Sequence, residues 1–201
     1  MRSTKVSGRV VAIVFAVFGV IASHTAQAAT IFFSGSLNPE VSGATGSGSV
    51  EITFDDVANT LLIEASWSGL SAGTTVAHIH CCTTAPGTVG VAVTPNTLPG
   101  FPTGLTSGSY TSPLLDLDEA STYTVGFVNN FAGGVLANAD DVLLAALTAG
   151  TAYFNVHSTA FGSGEIRAFL QPGALPVPEP ATAALIAAGL LLIAGRRQRR
   201  A

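Results

Sequence analysis

Gly48-Ser-Val-Glu-Ile-Thr-Phe-Asp55-Asp-Val-Ala-Asn-Thr60-Leu-Leu-Ile-Glu-Ala-Ser-Trp-Ser68 holds two short runs, Gly48–Asp55 and Thr60–Ser68, in which apolar and polar residues largely alternate. A break containing Asp56 and Asn59 separates them. Alternation puts successive side chains on opposite faces, the mark of a half-buried strand rather than a helix. The same texture extends outward in both directions. Short apolar or alternating runs at Thr30–Leu37, Thr75–His80, Ser107–Leu115, Thr122–Asn129, Ala152–His157 and Gly164–Gln171 are punctuated by Gly, Ser, Thr, Asn and Pro. Only Asn138–Leu147 reads as helix, with acidic residues near its start and Gly150 beyond its end. The expectation is an all-β domain over residues 29–175, an antiparallel two-sheet sandwich.

Of 201 residues, 48% are hydrophobic and 10% charged, which excludes intrinsic disorder. The charge is unevenly placed. Arg2, Lys5 and Arg9 open the chain, and Arg196, Arg197, Arg199 and Arg200 close it. Between Ala29 and Leu175, eleven acidic residues stand against the single Arg167, a net charge of −10. Such a body repels phosphate, so nucleic acid is excluded as a partner.

The basic ends flank two apolar runs. From Val10 to about Ala22 the run is shorter than the roughly 20 residues that span a bilayer, and the small-x-small site Ala26-Gln27-Ala28 follows it. Residues 1–28 therefore read as a signal peptide cleaved after Ala28, with a permanent membrane helix as the alternative. At the other end, Pro178-Glu179-Pro180 precedes an apolar helix over about 181–195 and then the arginines. As a helix it measures only about 22 Å against a hydrocarbon core of about 30 Å. It is a marginal anchor whose arginines favour the cytoplasmic side.

This tripartite end, residues 176–201, resembles the PEP-CTERM sorting signal of Gram-negative bacteria. The resemblance implies recognition by an exosortase, which removes the tail and passes the protein to the envelope or an exopolysaccharide matrix. The expected route is export past signal peptidase, transient anchoring in the inner membrane, then periplasm, cell surface or extracellular matrix. An uncleaved anchor is the alternative.

Chemistry concentrates in Ala77-His78-Ile79-His80-Cys81-Cys82 and in Ala152-Tyr153-Phe154-Asn155-Val156-His157, which runs on to Gly164-Glu165-Ile166-Arg167. With Tyr123-Thr124-Val125 between them, these ordered strings resemble the CHRD (chordin) domain over about residues 31–170. The resemblance implies an immunoglobulin-like or superoxide-dismutase-like β-sandwich. The chain departs from it at Cys81-Cys82, where many relatives continue with Gly-Pro.

In a strand His78 and His80 share a face, and His157 ends a second strand whose same-face neighbours are Tyr153 and Asn155. If those strands are neighbours, three imidazoles meet in a set that suits copper or zinc, with Cys81 or Cys82 as weaker candidates for completing it. The alternative is that the histidines only hydrogen-bond loops and neighbouring strands. Copper–zinc dismutase chemistry is excluded, because a bridged dinuclear site needs about six histidines and the body has three. Ser158 and Ser163 read as loop residues, and no catalytic residue is expected. Glu165 and Arg167, two apart, are expected to pair structurally.

Adjacent cysteines on an exported domain meet an oxidising compartment. Their options are a vicinal disulfide, thiolate ligation, or disulfides to another molecule. Across a trans peptide the Cα atoms lie about 3.8 Å apart, below the roughly 4.4–6.8 Å of ordinary disulfides, so a vicinal bridge would be labile. Trp67, Phe33, Phe54, Phe127, Phe154 and Phe169 read as core. Asp55-Asp56, Asp116/Asp118/Glu119 and Asp140-Asp141 read as loops and a helix start, the first two clusters being permissive for weak calcium binding.

Together these readings give an exported, non-enzymatic envelope or biofilm-matrix protein. The competing reading is a surface copper- or zinc-binding or redox protein using His78, His80, His157, Cys81 and Cys82.

Overall fold

The computed structural model describes residues 30–173. The expected signal peptide, Pro178-Glu179-Pro180 and the expected C-terminal apolar helix lie outside the described residues.

The chain forms β1 (Thr30–Pro39), β2 (Ser47–Asp55), β3 (Thr60–Ser68), β4 (Thr74–Cys81), β5 (Val91–Val93), β6 (Gly108–Thr111), β7 (Leu115–Asp116), α1 (Val125–Phe131), α2 (Ala139–Thr148), β8 (Ala152–Ser158), β9 (Ile166–Phe169) and β10 (Gln171–Pro172). Every ladder is antiparallel. The order is β5-β4-β8-β9-β1-β2-β3-β6, with β10 beside β1 and β7 beside β3. The halves of the expected sandwich are joined through β1 into one curled sheet. Thr30–Leu37 pair with β2, whereas Asn38 and Pro39 pair with Arg167 and Ile166 of β9.

Alternation decides what each half contributes to the interior. Val50, Ile52 and Phe54 of β2 and Leu61, Ile63 and Trp67 of β3 meet Ala77 and Ile79 of β4, Phe154 and Val156 of β8 and Ile166 of β9 in one core. Strand β8 is buried at every residue. Its Ala152, Phe154 and Val156 join that core, and Tyr153, Asn155 and His157 take the opposite face, so loops must cover the outside of the sheet as well.

Three expectations are corrected. Thr122–Asn129 is not a strand: only Tyr123 makes a bridge, to Val93, and α1 starts at Val125. The physical reason is Thr124, whose Oγ1 accepts from Phe127 N at 3.1 Å and starts a helical turn. Ser107–Leu115 splits into β6 and β7 around Pro113, which has no N–H to donate. Ser112 joins the gap to β3, its N–H donating to Ile63 O at 2.9 Å and its Oγ accepting from Ile63 N at 2.9 Å. Phe169 leaves the core, because Ile166 and Ala168 take the inward positions of β9 and turn it outward. Strand β5, with only three residues, lies outside the sequence expectations.

Candidate metal centre

β4 and β8 are neighbours, with His78 opposite Asn155 and His80 opposite Tyr153. Period two then puts His78, His80, Asn155 and His157 on the outer face, back to back with the core. Loops close over them until the three histidines are 7–8% exposed. Their ligating nitrogens all lie within 4.8 Å of one another.

Each imidazole is held from outside by a backbone carbonyl. His78 Nε2 is 2.8 Å from Asn96 O, His80 Nδ1 is 2.7 Å from Val89 O, and His157 Nδ1 is 2.9 Å from Gly162 O. A carbonyl only accepts, so the nitrogen facing it carries the proton, and in a neutral ring the other nitrogen is a lone pair. Those other nitrogens, His78 Nδ1, His80 Nε2 and His157 Nε2, point at one another. His78 Nδ1 lies 3.3 Å from His157 Nε2, and Asn155 Oδ1 lies 3.1 Å from both His80 Nε2 and His157 Nε2.

Burial keeps His78 and His80 neutral. It pushes the His78 pKa down to about 4, with His157 and His80 adding to the shift, and it lowers His80 as well. His80 is also stacked on Tyr153, with ring centroids 4.6 Å apart.

Around this cluster, Asn155 Nδ2 donates to Glu40 Oε2 at 3.4 Å, and Arg167 pairs with Glu40 Oε1 at 3.4 Å. Arg167 also donates to Pro86 O at 2.7 Å and Gly87 O at 3.1 Å, tying down the loop that carries Val89. Its guanidinium lies over the Tyr153 and Phe169 rings, at 5.3 and 5.4 Å.

The structure thus gathers His78, His80 and His157 and keeps the cysteines apart from them. Cys81 occupies an inward position of β4, is bonded to Cys82 across a cis peptide, and borders a largely apolar cavity of about 340 Å³ beside Val91, Phe127 and Phe131. The expected Glu165–Arg167 pair does not form. Glu165 precedes β9, so alternation does not govern it, and its carboxylate accepts from Ser71 N at 2.6 Å while Arg167 reaches Glu40. The acidic clusters serve turns. Asp55 accepts from Val57 N and Ala58 N, and Asp116 accepts from Asp118 N. Ser158, expected in a loop, instead ends β8, and its Oγ accepts from Phe161 N at 3.2 Å.

Sequence reasoning placed Asn155 on the right face and missed its role, and it missed Glu40 entirely. No spacing links a residue at the end of β1 to a strand more than a hundred positions later.

A PEP-CTERM protein-sorting motif matches residues 176–200, which implies export and exosortase processing at the membrane of Gram-negative bacteria. No curated protein and no solved structure matches the chain. The CHRD domain model matches residues 32–170, nearly the whole span of the curled sheet and all of the histidine cluster. Covering more than two thirds of the sequence, it shows that the chain belongs to the CHRD-domain family.

Proposed function

We propose that this exosortase-targeted surface protein is a non-enzymatic component of the cell envelope or exopolysaccharide matrix whose CHRD domain holds a zinc or copper ion between His78, His80 and His157. One observation carries the metal reading. Three imidazoles, each committed through one nitrogen to a backbone carbonyl, aim their remaining lone pairs at a common point that holds no hydrogen-bond donor. Converging acceptors repel unless a cation lies between them, and burial disfavours a proton in that place at neutral pH. A divalent transition metal satisfies all three. The loops that cover the rings suit holding an ion rather than admitting a substrate, which supports the non-enzymatic reading.

The test is elemental analysis of the full chain, exported under its own leader and purified in detergent without metal-affinity steps. About one zinc or copper per chain is expected, lost in His78→Ala. A wild-type chain free of metal after incubation with either ion overturns the reading.

A further inference from the structure

We infer that Asn155 supplies the fourth ligand of this centre through its side-chain oxygen, and that Glu40 fixes that oxygen toward the ion. The inference rests on the metal reading above and adds the coordination number, the donor set and the preferred metal.

The geometry comes first. Zinc with tetrahedral bonds of about 2.0–2.1 Å sets its ligand atoms about 3.3 Å apart. Asn155 Oδ1 to His80 Nε2, Asn155 Oδ1 to His157 Nε2, and His78 Nδ1 to His157 Nε2 measure 3.1, 3.1 and 3.3 Å. Three separations already have the length of a tetrahedron's edge, and the amide oxygen takes the corner that would otherwise go to water.

Orientation comes second, because an amide presents either oxygen or NH2. Here Nδ2 donates to Glu40 Oε2, and turning the amide round would set its oxygen against that carboxylate and its NH2 toward the imidazoles. Glu40 is itself immobilised: its side chain is 6% exposed, and its other oxygen is paired with Arg167. Gly164 makes the approach possible. A Cβ at that position would overlap Glu40 Oε2 and come within 2.8 Å of Asn155 Nδ2.

Charge comes third. Three imidazoles and an amide are neutral, so a buried divalent ion needs an anion nearby. The Glu40 carboxylate, one amide away and shared with Arg167, is that anion; it offsets part of the charge and polarises the amide so that its oxygen is a stronger donor.

The resulting set of three nitrogens and one hard oxygen is closed and favours zinc over cuprous copper, which selects soft sulfur. The one pair of sulfurs nearby in sequence is bonded together, with Cys81 on the far side of the sheet.

Cobalt(II), a spectroscopic stand-in for zinc, tests this in the full chain. The wild type is expected to give the intense visible bands of a tetrahedral ion, unchanged by azide. In Asn155→Ala azide is expected to shift those bands, with zinc affinity, measured against a chromophoric chelator, down by about 10–100-fold. Glu40→Gln is expected to lower affinity by about tenfold. Wild-type bands that move with azide, or an Asn155→Ala chain with wild-type spectrum and affinity, overturn the assignment and leave the three-histidine centre standing. A wild-type chain that takes up neither cobalt nor zinc removes the centre itself. The azide measurement on the wild type decides the matter even if the variants fail to fold.

Discussion

His78 enters the outer face of the sheet neutral, and that has a cost that acid exposes. Its pKa falls from 6.5 to about 4, chiefly because burial penalises the charged ring, and His80 moves in the same direction. A folded pKa below the unfolded one means that the unfolded chain binds protons first as pH drops. Stability is therefore whole above about pH 6.5 and is lost as pH falls toward 4. At pH 5, where carboxylates are still largely ionised, the His78 contribution is about 1–2 kcal/mol after allowance for partial screening. Urea unfolding in chelator at pH 7 and pH 5 should show that loss in the wild type and much less of it in His78→Gln. Equal midpoints at both pH values in the wild type would mean that the rings protonate freely within the fold. The histidines are legible in the sequence because strand period and residue type coincide at His78, His80 and His157. Asn155 is legible only as their neighbour. Which way its amide turns depends on Glu40, and Glu40 arrives through the curl of β1 onto β9, a tertiary event without a local signal.

Among the elements, α1 shows where local reading fails and why. Tyr123-Thr124-Val125 alternates well enough to pass for a strand, yet Tyr123, Phe127 and Phe131 recur every four residues and stack in sequence at 5.7 and 6.0 Å. The fourfold spacing wins because Thr124 stops the extended backbone. Its hydroxyl accepts from Phe127 N and donates to Val91 O, joining the start of α1 to β5 in one step. The strands β1 to β4 and β8 are legible to within two residues at each end, since each runs for seven residues or more, long enough for a strand pattern to show. β5 is not, because three residues carry no period. Thr124→Ala should cost about 1–2 kcal/mol, the loss of a cap together with a buried hydrogen bond, and leave metal content unchanged. Thermal unfolding measures it. An unchanged midpoint would show that aromatic stacking rather than the cap starts the helix.

For the molecule as a whole, charge is the governing quantity. The body carries a net charge of −10, and its single arginine is already committed to Glu40. The remaining carboxylates stand mainly at strand ends, in loops and on α2, among them Asp55, Asp56, Asp116, Asp118, Glu119, Asp140 and Asp141. Their mutual repulsion reaches about 30 Å at 0.01 M salt and only about 8 Å at 0.15 M, so low ionic strength keeps copies apart. Attraction is available once that field is screened. Val125 and Phe131 of α1 and Val135 just beyond it are apolar and 75%, 38% and 49% exposed. Exported protein should therefore sediment as a monomer in dilute buffer and gain mass as salt rises, and millimolar calcium should act at far lower ionic strength by bridging carboxylates. Val125→Ser should weaken association at high salt without altering the monomer at low salt. Sedimentation equilibrium giving one mass across the whole series would mean that neither screening nor these exposed apolar residues govern self-association. Association between copies would then depend on a partner of another kind.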